Sequence, residues 1–156
     1  MAMRRRMKKH DPTEGMTMNL EPLLEAPLVV RIHAFGAIAA FVLGVVQFLG
    51  PKGTMPHRSI GLVFMLLMAV VAGSTLWMTH PVEPGDPLWA RYSPIHLFTL
   101  LTFFGLFSAT MFLVRGGPQM KRHAGPLGGV FIGGLVVAGV LAFLPGRIMH
   151  QVAFGG

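Results

Sequence analysis

Four apolar runs decide what this chain can fold into. Leu28–Leu49, Ile60–Thr79, Ile95–Val114 and Pro126–Leu144 are 22, 20, 20 and 19 residues long, and Arg31 is the one charge among them. At a rise of about 1.5 Å per residue, a helix of that length crosses a hydrocarbon core of about 30 Å. Each run ends on a helix breaker: Gly50-Pro51, His80-Pro81, Gly116-Gly117-Pro118 and Pro145-Gly146. Charged residues make up only 12% of the chain and apolar residues 53%, with a mean hydropathy of +0.61. A soluble domain carries about 25% charged residues, and a core of this size could not hide so much apolar surface from water. Lipid is the implied solvent.

The net charge of +7 does not point to nucleic acid. The basic residues sit at the edges of the apolar runs and in an N-terminal tail, residues 1–18, with Arg4, Arg5, Arg6, Lys8 and Lys9. Anionic membrane lipid is the nearer partner for both. The tail lies too far from the first apolar run, and that run is too long, for a cleavable signal peptide. Asn19 to Ala26, with Leu20, Leu23 and Leu24 on one side, reads as a short interfacial helix leading into the transmembrane domain, residues 19–156. No cysteine is present, which excludes disulfides, thiolate metal sites and a Cys nucleophile.

With four spans both termini share one face, side A, together with loop 80–94. Side B holds loops 50–59 and 115–125. Side B carries Lys52, Arg58, Arg115, Lys121 and Arg122 and no acid, whereas Trp77, Trp89 and Tyr92 gather on side A. The positive-inside rule places side B in the cytoplasm. Against it stand Arg31, Arg91, Arg147 and the tail cluster on side A, a conflict that disappears if translation starts at Met16 or Met18.

The chain also repeats itself. Arg31-Ile32-His33-Ala34-Phe35 has a counterpart in Pro94-Ile95-His96-Leu97-Phe98, His57-Arg58 in Arg122-His123, and Val70-Val71-Ala72-Gly73 in Val136-Val137-Ala138-Gly139. Two tandem helical hairpins follow, related by an axis along the membrane normal, as in parallel repeats. The expected fold is all-α: an integral membrane four-helix bundle with pseudo-twofold symmetry. Small residues at four-residue spacing predict close helix packing along Gly36, Ala40 and Gly44, and along Gly125, Gly129 and Gly133 with Gly134, Ala138 and Ala142 beside them.

Six of the seven histidines form repeat-related pairs, His33/His96, His57/His123 and His80/His150. Ionisable groups near membrane depth are expensive and default to a functional reading. Side A collects His33, His80, His96 and His150, a candidate metal set. Imidazole suits zinc, copper or haem iron, and Met78 and Met149 nearby favour copper. His33 shares a face with Gly36, Ala40, Gly44 and Gln47, a stripe that faces protein rather than lipid. On side B, Arg58 and Arg122 beside His57 and His123 make an anion or lipid-phosphate contact, or the propionate partners of a haem held by those two histidines. The two sides are expected about 34–36 Å apart at helical rise, so one metal cannot serve both. No helix carries two histidines at the spacing that would stack two haems in one core, which counts against a multi-haem protein. Ser59, Ser74, Ser93 and Ser108 have no evident acid–base partner at membrane depth, and every acid lies in the tail, the interfacial segment or loop 80–94, so no hydrolase constellation is expected.

From Asn19 onward the chain resembles a bacterial family of small four-helix membrane proteins known as a domain of unknown function, in its proteobacterial branch. The likeness rests on Leu20-Glu21-Pro22-Leu23-Leu24, on Gln47 with Pro51-Lys52-Gly53-Thr54 and His57-Arg58, on Ser93-Pro94-Ile95-His96-Leu97, and on Pro145-Gly146-Arg147-Ile148-Met149-His150. The family usually has His-Arg at the start of its fourth helix, where this chain has Arg122-His123-Ala124. The resemblance implies the fold and the bacterial inner membrane, and brings no activity with it. Three functions stay open: a non-enzymatic accessory or structural subunit of a larger membrane complex, a redox protein with b-type haem on His33, His96, His57 and His123, and a copper or zinc binding or transport site on His33, His80, His96 and His150.

Overall fold

The computed structural model describes residues 19–78, 87 and 96–154. The basic tail, His80, Trp89, Arg91 and Tyr92 lie outside the described residues. The elements are α1 (Glu21–Leu24), α2 (Leu28–Leu49), α3 (Met55–Thr75), α4 (His96–Arg115), α5 (Gly117–Ala142) and α6 (Ile148–Phe154). Among the described residues all regular structure is helical, and α2 to α5 are the four helices long and apolar enough to cross a membrane.

α2 occupies the whole first apolar run, bracketed by Pro27 and by Gly50-Pro51. α3 begins at Met55, five residues before its apolar run. Thr54 caps it by accepting the His57 N–H at 3.3 Å, and Pro56 occupies the first turn, where its missing N–H is no loss. α3 ends at Thr75 rather than Thr79. α5 starts as a 3-10 turn over Gly117–His123, becomes α-helical over Ala124–Gly129, opens into a π-helical stretch at Val130–Val137, and closes as α-helix at Ala138–Ala142. The expected interfacial helix reduces to the single turn of α1. Asn19 Oδ1 starts it by accepting the Glu21 N–H at 2.9 Å.

The helices form a ring. α2 packs on α3, α3 on α4, α4 on α5, and α5 closes back on α2. α2 and α4 therefore take one diagonal, α3 and α5 the other. The core between them is Ala40, Phe64, Met68, Leu106, Ala109, Leu127, Val130 and Leu135. Large apolar side chains also cover the outside, among them Leu97, Leu100, Phe104, Phe107 and Val140, each at least 63% exposed. In water that surface would aggregate; it is the surface that lipid tails require.

Small residues set the helix spacing, though not all those that the repeat spacing suggests. On α2 the stripe holds: a Cβ at Gly36 would lie 3.1 Å from Val71, Ala40 is fully buried, and a Cβ at Gly44 would lie 2.5 Å from the ring of Phe131. That ring stacks on Phe41 at 5.6 Å and tilts against Phe48 at 5.2 Å, closing the ring of helices over Gly44. On α5 the expected stripe is corrected in part. Gly125 and Gly129 face open space, whereas Gly133 and Gly134 do pack as expected, a Cβ there lying 2.9 Å from Leu101 and 2.8 Å from Thr102 respectively; beside them Leu127 and Val130 are the buried residues turned to α4. Val130 sits about 100° round the helix from Gly129. The glycine that admits it is Gly105 on α4, where a Cβ would lie 2.4 Å from Val130 and 3.2 Å from the Pro126 carbonyl.

At side A the two ends of the described chain meet. The Asn19 N–H donates to the Val152 carbonyl at 3.0 Å, and Leu23 and Val152 are buried together as α1 packs on α6. An even number of crossings brings the termini to one face.

Candidate functional site: two histidine pairs at opposite ends of the bundle

At side B the loop before α3 turns at Gly53, whose φ of +83° favours glycine. The Thr54 hydroxyl donates to the Pro51 carbonyl at 3.1 Å and thereby locks the cap. One turn into α3, the His57 carbonyl accepts the Gln47 side-chain amide at 2.7 Å. Gln47 reaches it by lying over Gly61, where a Cβ would be 2.7 Å from its Nε2. The backbone of His57 is thus held from α2 as well as from its own cap.

The ring of His57 faces that of His123 across the α3–α5 diagonal, with centroids 6.4 Å apart and planes at 64°. His123 Nδ1 donates to the Met120 carbonyl, which fixes its tautomer and leaves Nε2 as the nitrogen with a lone pair. His57 Nδ1 is buried and has no hydrogen-bond partner among the described residues. Buried polar nitrogens are rarely left so. Arg58 and Arg122, adjacent in sequence to the two rings, are exposed. The described carboxylates are Glu21 and Glu25, both at α1 on the other face.

At side A, His33 and His96 converge on the last turn of α3. His33 Nδ1 lies 3.1 Å from the Val71 carbonyl and 2.9 Å from Ser74 Oγ. The Ser74 hydroxyl itself donates to the Val71 carbonyl at 2.7 Å. Its oxygen is therefore an acceptor toward His33, and Nδ1–H is shared between the two oxygens, leaving Nε2 as the lone-pair nitrogen. His96 comes from α4 and donates from Nε2 to the Thr75 carbonyl at 3.1 Å. Beside it the Thr75 hydroxyl donates to the Ala72 carbonyl at 2.7 Å and so accepts from the buried Thr99 hydroxyl, also at 2.7 Å. α2, α3 and α4 are laced together by this network.

Ser74 corrects one expectation, since it does have a histidine partner. The pair is not a nucleophile and base: Nδ1 already carries its proton, and among the described residues no acid orients the ring. His150 stands apart, with Nδ1 donating to the Phe143 carbonyl at 3.0 Å and its ring 5.0 Å from Phe154. With His80 outside the described residues, the four-histidine metal set is not assembled here. Among the described residues no three His, Cys, Asp or Glu side chains gather as metal ligands.

The distance between the two ends is also corrected. Gln47 is level with His57, and His33 is level with Val71 and Ser74. Fourteen residues separate His33 from Gln47 on α2, and fourteen separate His57 from Val71 on α3. Both counts give about 21 Å between the levels. The residues in the hairpin turn had inflated the count along the chain.

No curated protein and no solved structure matches the chain. The model of one family, described as "Predicted membrane protein (DUF2306)", matches residues 30–127. That stretch runs from the first turn of α2 into α5 and contains His33, Gln47, His57, Arg58, His96, Arg122 and His123. The chain is a multi-pass membrane protein of all-helical fold, and it belongs to the DUF2306 family of predicted membrane proteins.

Proposed function

We propose that this protein is a haem-binding membrane protein, with the iron of a b-type haem held between His57 and His123. The observation that carries this reading is their facing rings, 6.4 Å apart. Iron held between the two rings would need their centres about 6 Å apart, about 2 Å for each metal–nitrogen bond and roughly 1 Å more to each ring centre. The donor set also discriminates among metals. Zinc and copper sites draw three or four ligands from protein, whereas a porphyrin brings four of its own and asks for the two histidines present. His123 is oriented by a backbone carbonyl through its other nitrogen, the usual support for a metal-bound imidazole. Arg58 and Arg122 offer guanidinium groups to propionate carboxylates. His57 Nδ1, buried and without a partner among the described residues, would be the nitrogen that His57 offers to iron. When bound, such a group supplies one-electron exchange between ferric and ferrous iron.

The test is an absorption spectrum of full-length protein, produced with ample haem and purified in mild detergent, before and after dithionite. A Soret band that shifts and sharpens on reduction, and that weakens in His57→Ala and His123→Ala, is the expected result. A colourless wild-type protein under those conditions, also after adding haemin to the membranes, overturns it.

A further inference from the structure

We infer that Gln47 is a positioning residue of the side-B site: from α2, a helix that supplies neither ligand of that pair, it sets where the ring of His57 stands relative to that of His123. The inference rests on the reading of His57 and His123 as iron ligands and names the residue that aligns them.

The bond from Gln47 is not one that the backbone requires. α3 is α-helical from Met55, so the His57 carbonyl already accepts the N–H of Gly61, four residues on. The Gln47 amide, at 2.7 Å, is a second donor to the same oxygen. Its removal orphans no carbonyl. A polar side chain in an apolar helix is costly in a membrane, and the neighbours of Gln47 are the exposed apolar residues Val46, Phe48 and Leu49. What the amide adds is location. It holds the carbonyl of the residue whose ring faces His123, while the Thr54 hydroxyl holds the N–H of that same residue at 3.3 Å. Gly61 leaves its path open, since a Cβ there would lie 2.7 Å from Nε2 of Gln47.

The next residue of α2 holds the helix of the other ligand. The ring of Phe48 lies 5.2 Å from that of Phe131 on α5. α3 and α5 stand across a diagonal, and each packs on α2. Two adjacent residues of one helix thus reference both ligands: Gln47 the helix of His57, Phe48 the helix of His123. A ligand set has to be held within about 0.5 Å of its working geometry, and a shared reference does that. The nitrogen that His57 offers makes the demand stricter. Nδ1 is bonded to the ring carbon that joins the side chain, one bond nearer the backbone than Nε2, so a displaced backbone reaches it with little slack.

The experiment compares full-length, haem-loaded wild type with Gln47→Met, which keeps the length and loses the donor, and with Thr99→Val, which loosens the bundle at side A. Two quantities are read in the same micelles: the rate at which haem passes to an excess of soluble apo-globin, and the low-spin ferric EPR signal. That signal reports the angle between axial rings, because crossed rings leave the iron dxz and dyz orbitals nearly equal in energy and parallel rings split them. Gln47→Met should release haem about tenfold faster and shift the signal, and Thr99→Val should do neither. If Gln47→Met cannot be purified folded, Gly61→Ala takes its place. It keeps the amide but displaces it, and the same two changes are expected. A release rate and a signal equal to those of the wild type overturn the positioning role and leave His57 and His123 as ligands. Equal acceleration in Thr99→Val, with no shift of the signal in any variant, marks a general loosening and overturns it too. A wild type that takes up no haem removes the reading of His57 and His123, and the role of Gln47 with it.

Discussion

The side-chain amide of Gln47 donates to the backbone carbonyl of His57 at 2.7 Å, and it does so through the space that Gly61 leaves empty. One polar residue of α2 thus sets the height and rotation of α3 at the level of the side-B histidine. Gln47→Leu is expected to destabilise the bundle by about 1 kcal/mol, and Gly61→Ala by about 1–3 kcal/mol through forced displacement of the amide. The two share one interaction, so the double mutant should fall short of the sum. Reversible unfolding in mixed micelles measures all three, and strict additivity would refute the shared contact.

Gly105 and Gly125 make an opposed pair of tests. Alanine at 105 meets Val130 and the Pro126 carbonyl and should cost about 1–3 kcal/mol. Alanine at 125 meets nothing within 4 Å and should be neutral or stabilising by up to about 1 kcal/mol, since alanine is the better helix former. Equal effects at both positions would mean that α5 is rotated from the face described.

Phe131 is the contact that closes the ring of helices. Phe131→Ala is expected to lose about 2 kcal/mol or more, because the ring leaves a void between Gly44, Phe41, Phe48 and Phe64. Leucine should recover part of it. Unfolding in micelles reads the loss, and a cysteine crosslink between α2 and α5 that forms more slowly in the alanine variant would show where it occurs.

Thr99→Val removes a hydrogen bond to Thr75 while keeping shape. Side-chain hydrogen bonds inside membrane bundles average about 0.6 kcal/mol, and a loss of that order is expected. A thermal unfolding midpoint unchanged by both Thr99→Val and Thr75→Val would show that the side-A network contributes nothing to stability.

Arg58→Gln and Arg122→Gln test whether guanidinium groups meet the propionates of a side-B haem. The axial ligands stay, so the reduced spectrum should persist while the midpoint potential falls, because a nearby cation favours the form with one positive charge fewer on iron. An unchanged potential in the double variant would separate the arginines from the haem and leave lipid phosphate as their partner.

Much of the architecture was legible from residue order. α2 runs from Leu28 to Leu49 as its flanking prolines and Gly50 dictate, because backbone satisfaction in lipid leaves an apolar run little choice but helix. The start of α3 was harder to read. Met55-Pro56-His57-Arg58 is not apolar, and what makes it helical is the cap from Thr54. The histidine pairs were visible as repeats, but that His57 faces His123 depends on which helices share a diagonal, and spacing along one chain does not encode that. Ser74 stands 41 residues from His33, so their contact had no local signal. Gly129 and Val130 differ by one residue, and only the packing of α5 against α4 chooses between them.

The bond from Asn19 to Val152 has a topological consequence. The first and last helices, α1 and α6, lie side by side, so the two ends of the described chain can be joined without moving any of the four long helices. A circular permutant joined across that contact and opened between α3 and α4 would insert α4–α5 first and α2–α3 second, and it would keep every helix-to-helix interface of the original.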